Sequence, residues 1–205
     1  KNLSMGCVNQ KTRGRIHALE GGLNWDESSC THCGVCEENC PNHAISFDEQ
    51  GRFDVFYHNC KFSQHCVLIC PQKAITMEGG GYRDFQRGMA LTTRAVLDNF
   101  KPEQRLFINL LTDITIFCDC WGMSTPSLVP DIGILAGRDI VAIEQATLDL
   151  IRTEDLIPGS LPPGWELGDK GHLFERIHAK DPYAVIEYLH EFGLGSREYT
   201  FREID

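Results

Sequence analysis

CTHCGVCEENCP (30–41) packs four cysteines into twelve residues. Its cysteines, Cys30, Cys33, Cys36 and Cys40, are spaced C-x2-C-x2-C-x3-C and followed by Pro41. That is the run by which bacterial iron–sulfur proteins hold a cluster. Moved along by thirty residues, it lands on CKFSQHCVLICP (60–71). Cys30 falls on Cys60, Cys36 on Cys66, Cys40 on Cys70 and Pro41 on Pro71, and CPNHAI (40–45) overlays CPQKAI (70–75). One ligand position breaks the match, because Cys33 falls on Ser63. The chain thus contains an internal repeat, and the rest of the sequence is read around it.

Ten cysteines in 205 residues first suggest disulfides, but seven of them belong to the repeat and no export signal precedes them. Zinc is the next alternative for C-x2-C pairs. It accounts neither for four cysteines in one short loop before proline nor for the duplication. Iron–sulfur ligation accounts for both. The net charge of −10 argues against a nucleic-acid partner. No apolar run approaches the ~20 residues of a membrane span, so a soluble, cytoplasmic protein with no membrane partner is expected.

Glycine clusters EGG (20–22) and EGGG (78–81) bracket the repeat. They set three expected parts: residues 1–22, then 23–78, a small two-cluster α+β unit, and residues 79–205. The unit holds eight acidic against three basic residues. AISF (44–47), FDVFY (53–57) and AITM (74–77) read as short strands, with helical turns around Cys36 and Cys66. Beyond it, 84–100 reads as a helix stopped by Pro102, and LFINLLTDITIF (106–117) as a buried strand. DIGILAG (131–137) reads as a second strand, and 138–152 as a well-buried helix capped by Asp139. PYAVIEYLHEF (182–192) reads as a helix ended by Gly193, and REYTFREI (197–204) as an edge strand. Strands alternating with helices suggest an α/β layer, with too few strands for a complete sheet.

Cys7, Cys118 and Cys120 lie outside the repeat. Cys118 and Cys120, two apart on a strand, would share a face, at a place where α/β sheets often bind ligands. They read either as a third metal or redox site, completed by Cys7, His17 or Asp131, or as buried thiols. No Ser-His-Asp array, Walker loop or GxGxxG accompanies them.

KNLSMGC (1–7), the two cysteine runs, CDC (118–120), PDIGILAGRDIVAIEQATLDLI (130–151) and EFGLGSREYTF (191–201) together resemble one family, the iron–sulfur proteins called domain of unknown function 362. The resemblance covers nearly the whole chain. It implies a two-cluster ferredoxin unit inserted in a longer α/β domain, with this chain as its C-terminal part and the N-terminal part of that domain as a partner. Two positions depart from the family pattern: Ser63 interrupts the second run, and Glu144 stands where an aspartate is usual.

In two-cluster ferredoxins the fourth cysteine of each run binds the other cluster. By position this assigns Cys30, Cys33, Cys36 and Cys70 to a first 4Fe–4S cluster, and Cys60, Cys66 and Cys40 to a second with Ser63 facing its fourth iron. Serine is a hard, usually protonated donor. The second group is then 3Fe–4S, or 4Fe–4S with Ser63, water or a histidine on that iron, or absent. His58 and His65 are the nearby histidines, and His65 adjoins Cys66. Three functions compete: electron transfer to a redox protein partner or small-molecule acceptor, an oxidoreductase fed at Cys118 and Cys120, and clusters that are purely structural.

Overall fold

A computed structural model of the chain describes residues 2–17, 19, 21–56, 59–60, 65–78, 81–117, 124–162 and 164–204. The chain forms two compact units, one from Asn9–Phe85 and one from Lys1–Val8 with Gln86–Asp205. Both mix short helices with small sheets.

The Asn9–Phe85 unit opens with helix α1 (Gln10–His17). Strand β1 (Gly22–Trp25), helix α2 (Val35–Glu38) and strand β2 (Ile45–Phe47) follow, and then strand β3 (Phe53–Val55), helix α3 (His65–Ile69) and strand β4 (Ile75–Glu78). Each cysteine run therefore lies between two strands, and each strand pairs antiparallel with one from the other half of the repeat. β1 pairs with β4, placing Leu23 opposite Met77 and Trp25 opposite Ile75. β2 pairs with β3, placing Ile45 opposite Val55 and Phe47 opposite Phe53. The same extra bond extends each ladder: the Asp26 N–H donates to the Ala74 carbonyl and the Phe56 N–H to the Ala44 carbonyl, both at 2.8 Å. β-Branched and aromatic residues favour these strands because they pack on a half-buried pleat. Ile45 and Ile75 are buried with Cys36 and Cys66, and Leu23, Trp25, Phe47 and Phe53 pack around them. Trp25 stacks on Phe53 at 5.9 Å, while Phe47 meets both rings edge-on.

In the other unit a π-helical turn (Asn2–Gly6) and helix α4 (Tyr82–Leu97), which belongs to it from Gln86 on, precede strand β5 (Phe107–Leu111), strand β6 (Gly133–Gly137) and helix α5 (Ile140–Leu150). Helices α6 (Leu173–His178) and α7 (Ala184–Glu191) follow. One core joins Ala90 and Leu97 of α4, Ile140 and Val141 of α5, and Ile186 and Leu189 of α7. A second gathers Ile116, Leu128, Val129, Ile151 and Leu173.

β5 and β6 form an antiparallel pair, with Asn109 opposite Leu135. Two sequence expectations change here. The strand expected over 106–117 ends at Leu111, because Asp113 adopts a left-handed φ of 49° and breaks the run. It is also not buried on both faces. Asn109 turns towards α5, donating to Glu144 Oε1 at 3.2 Å and Thr147 Oγ1 at 2.8 Å. Leu106, Ile108 and Leu110 are exposed, as is Ile134 on β6.

The second correction concerns 197–204, which forms no strand. Side chains hold the start of this segment instead of a ladder. Asp149 accepts from the Tyr199 hydroxyl at 2.8 Å, and Gln145 Oε1 accepts from Arg197 Nε at 2.9 Å. Just before it, Asp139 Oδ2 accepts from the Ser196 N–H at 2.8 Å.

Asp139 also caps α5, as expected, since its Oδ1 accepts from the N–H groups of Val141 at 2.8 Å and Ala142 at 3.0 Å. Gly195 approaches this carboxylate so closely that a Cβ there would collide with it. Losing the cap alone costs about 1–2 kcal/mol. Asp139→Ala should destabilise this unit by at least that much in urea denaturation, and Asp139→Asn by less. An unchanged midpoint for Asp139→Ala would refute this double role.

Candidate iron–sulfur centre

The two cysteine runs adopt matching local conformations. After each fourth cysteine the chain turns in the same way: His43 (φ 47°) and Lys73 (φ 53°) are both left-handed. Their N–H groups donate back to the carbonyls of Cys40 and Cys70, each at 3.1 Å. The turn aims the next backbone N–H at the sulfur, so Ala44 donates to Cys40 Sγ at 3.2 Å and Ala74 to Cys70 Sγ at 3.3 Å. His32 likewise donates its N–H to Cys30 Sγ at 3.4 Å. Hydrogen bonds to sulfur stabilise thiolate charge and tune a cluster's potential. The repeated C-P-x-x-A at 40–44 and 70–74 is the sequence signal for the two alanine bonds. Gly34, with φ 76°, lets the chain reverse between Cys33 and the start of α2.

Cys30, Cys33, Cys36 and Cys70 line one small pocket that is partly open to solvent. Phe47 and Ile75 supply apolar wall, and Cys40 is not among the lining residues. Electrostatics group the thiols in the same way. Burial raises the pKa of Cys36, and the neighbouring Cys70 and Cys30 raise it further. Burial pushes Cys66 up to about 12, with Cys60, Cys40 and Cys36 adding to the rise. Cys36 and Cys66, 7% and 6% exposed, are thus close enough to feel one another.

No disulfide joins any of the eight described cysteines. Packing thiols together in a dry core is unfavourable for the thiolates, and metal ions relieve it by replacing the protons with positive charge. Four soft donors around one cavity fit a multi-iron group, whose cysteines each bind a different iron. Among the described residues, no three or more His, Cys, Asp or Glu side chains are placed to hold a single metal ion.

Four of the remaining expected site residues, His65, His17, Cys7 and Asp131, lie among the described residues. His65 is buried, and burial lowers its pKa, which favours the neutral ring. His17 stacks on Phe85 at 5.0 Å, within the Asn9–Phe85 unit. In the other unit Cys7 is exposed, and Asp131 Oδ1 accepts from the Asp113 N–H at 3.0 Å. His58, Ser63, Cys118 and Cys120 lie outside the described residues. No described helix is long and apolar enough to cross a membrane.

Over part of its length the chain is similar in sequence to several curated proteins. The chain is 39% identical over 51 residues to a ferredoxin of Pyrobaculum islandicum, covering 25% of this chain and 48% of that protein. It is 41% identical over 51 residues to pyruvate synthase subunit PorD of Methanocaldococcus jannaschii, covering 25% of this chain and 59% of that protein. It is 28% identical over 87 residues to NADH-quinone oxidoreductase subunit I of Pelobacter propionicus, covering 36% of this chain and 47% of that protein. The chain thus spans about half the length of the curated relatives it matches. One family model reaches well beyond the repeat, over residues 1–149, and on that match the chain belongs to the family Domain of unknown function (DUF362).

Proposed function

We propose that this chain is an iron–sulfur electron-transfer protein whose repeat holds two neighbouring clusters. The observation that carries this is the single cavity lined by Cys30, Cys33, Cys36 and Cys70. Those four residues are the ligands of a first 4Fe–4S cluster. Cys40, Cys60 and Cys66 are the ligands of the second group, with Ser63 at its fourth position. That group is 3Fe–4S, or 4Fe–4S with a non-cysteine ligand. When bound, the clusters supply reversible one-electron storage. The protein contributes thiolates, sulfur-directed N–H groups from Ala44 and Ala74, and apolar walls that limit water. The mutual influence of Cys36 and Cys66 supports adjacent clusters, suited to passing an electron between them.

The electron acceptor is a redox protein or a small molecule, and the matched relatives include subunits of larger oxidoreductases. Residues 23–78 form the ferredoxin-like insertion, and residues 1–22 and 79–205 belong to the α/β domain. Supporting that layer, α5 covers one face of the β5–β6 pair while aliphatic side chains of the other face stay open to further polypeptide. Free thiols in this number suit a reducing compartment such as the cytoplasm.

Cysteine-to-alanine substitutions in the cluster-loaded chain test the ligand sets. Cys70→Ala should abolish the first cluster's electron paramagnetic resonance signal and about half the bound iron. Cys40→Ala should disturb the second group and spare the first. The reverse pattern would contradict the assignment. Failure of the loaded wild type to accept electrons from dithionite would sink the electron-transfer reading itself.

A further inference from the structure

The two halves of the repeat differ at positions where their surroundings match. After Cys36, helix α2 and its C-cap carry Glu37, Glu38 and Asn39, all exposed. At the equivalent places after Cys66, helix α3 carries Val67, Leu68 and Ile69. The two helices sit alike, since their first cysteines are almost equally buried and each run ends in the same sulfur-bonding turn. The fold therefore accepts polar residues at these positions, yet Leu68 is 53% and Ile69 39% exposed. α2 packs against α3, so the Glu37 and Glu38 carboxylates belong to the helix bordering this apolar surface.

We propose that the outer face of α3, rimmed by Glu37 and Glu38, is the docking surface for a redox partner protein with an apolar contact ringed by lysine and arginine. This rests on the electron-transfer reading above. Charge complementarity selects the partner, because the repeat is acidic and the helix packed against α3 carries two exposed carboxylates. Interfaces commonly combine an apolar centre, which holds the partner, with a charged rim, which steers it. Position supplies the functional reason. α3 begins beside Cys66 and ends beside Cys70, which fall in different ligand sets. A partner seated there lies roughly one helix diameter, about 10 Å, from both clusters.

The probe is mitochondrial cytochrome c, a basic protein with an exposed haem edge, titrated calorimetrically against the oxidised, cluster-loaded full chain. Wild type should bind it, with affinity falling as salt rises. Leu68→Gln with Ile69→Asn should weaken binding about tenfold and leave the salt dependence unchanged. Glu37→Gln with Glu38→Gln should weaken binding at low salt and flatten the salt dependence. In stopped flow, one electron leaves the reduced chain and converts ferric haem to ferrous. The Leu68/Ile69 variant should slow this step while its reduction of ferricyanide keeps the wild-type rate. Iron content and resonance signals should match wild type in both variants. Unchanged cytochrome c binding by the Leu68/Ile69 variant would overturn the proposal, as would an equal slowing with ferricyanide. A wild-type chain that takes up no electron from dithionite would refute the electron-transfer reading instead, a result distinct from either.

Discussion

Stripping iron from the loaded protein should unfold Asn9–Phe85 and leave the other unit folded. The first unit is held by two ladders of three and four residue pairs, around a buried cluster that includes Cys36 and Cys66. An apolar core in a domain this small rarely supplies more than about 3–5 kcal/mol. Two of its four buried members are thiols placed to bind metal, so much of its organisation depends on that group. Bound structural metal contributes roughly 10 kcal/mol or more in small metal-dependent folds, which exceeds what the core alone provides. The other unit has two aliphatic cores without any cysteine of the repeat. Hydrogen exchange should show β1, β2, β3 and β4 losing protection after chelation under reducing conditions, while α4, α5 and α7 keep theirs. Persistent protection across β1–β4 in iron-free protein would show that the apolar core suffices.

Ser63→Cys should convert the second group to an ordinary 4Fe–4S cluster. Ser63 stands where the repeat calls for the counterpart of Cys33, and a serine oxygen is a poor, hard ligand for that iron. Oxidised wild type should therefore show a 3Fe–4S signal, or a 4Fe–4S signal altered by its unusual ligand. The cysteine variant should bind up to one more iron per chain and show two all-thiolate 4Fe–4S signals on reduction. The two groups of the wild type should also differ in potential, since one donor differs in charge and softness. Two all-thiolate signals in the wild type, unchanged by the substitution, would mean that another cysteine completes the site. Cys118 and Cys120 would be the first to replace in that case.

Much of this protein was legible because it is local. Ligand spacing, a thirty-residue repeat, Asp139 ahead of an apolar helix and Gly193 behind another each act within a few residues, where backbone preference and nearby hydrogen bonds dominate. The equivalent left-handed turns at His43 and Lys73 follow from equivalent short sequences. Tertiary structure decided what depends on distant partners. β1 had no strong strand signal of its own, and it forms because Ile75–Glu78 lies alongside to complete its hydrogen bonds. The segment 197–204 had a strand-like composition, but Asp149 and Gln145 capture Tyr199 and Arg197 with no ladder beside them. The apolar run of β5 could not reveal whether one face or both would be covered, since periodicity reports composition and only a neighbouring layer covers a face. Spacing alone groups Cys70 with its own run; the two-cluster ferredoxin pattern is what assigns it to the other, and the pairing of β1 with β4 and of β2 with β3 brings it to that pocket. Short-range spacing sets the ligand-bearing turns; the crossed strand pairing, a long-range hydrogen-bonding outcome, brings Cys70 to the thiols of the first run.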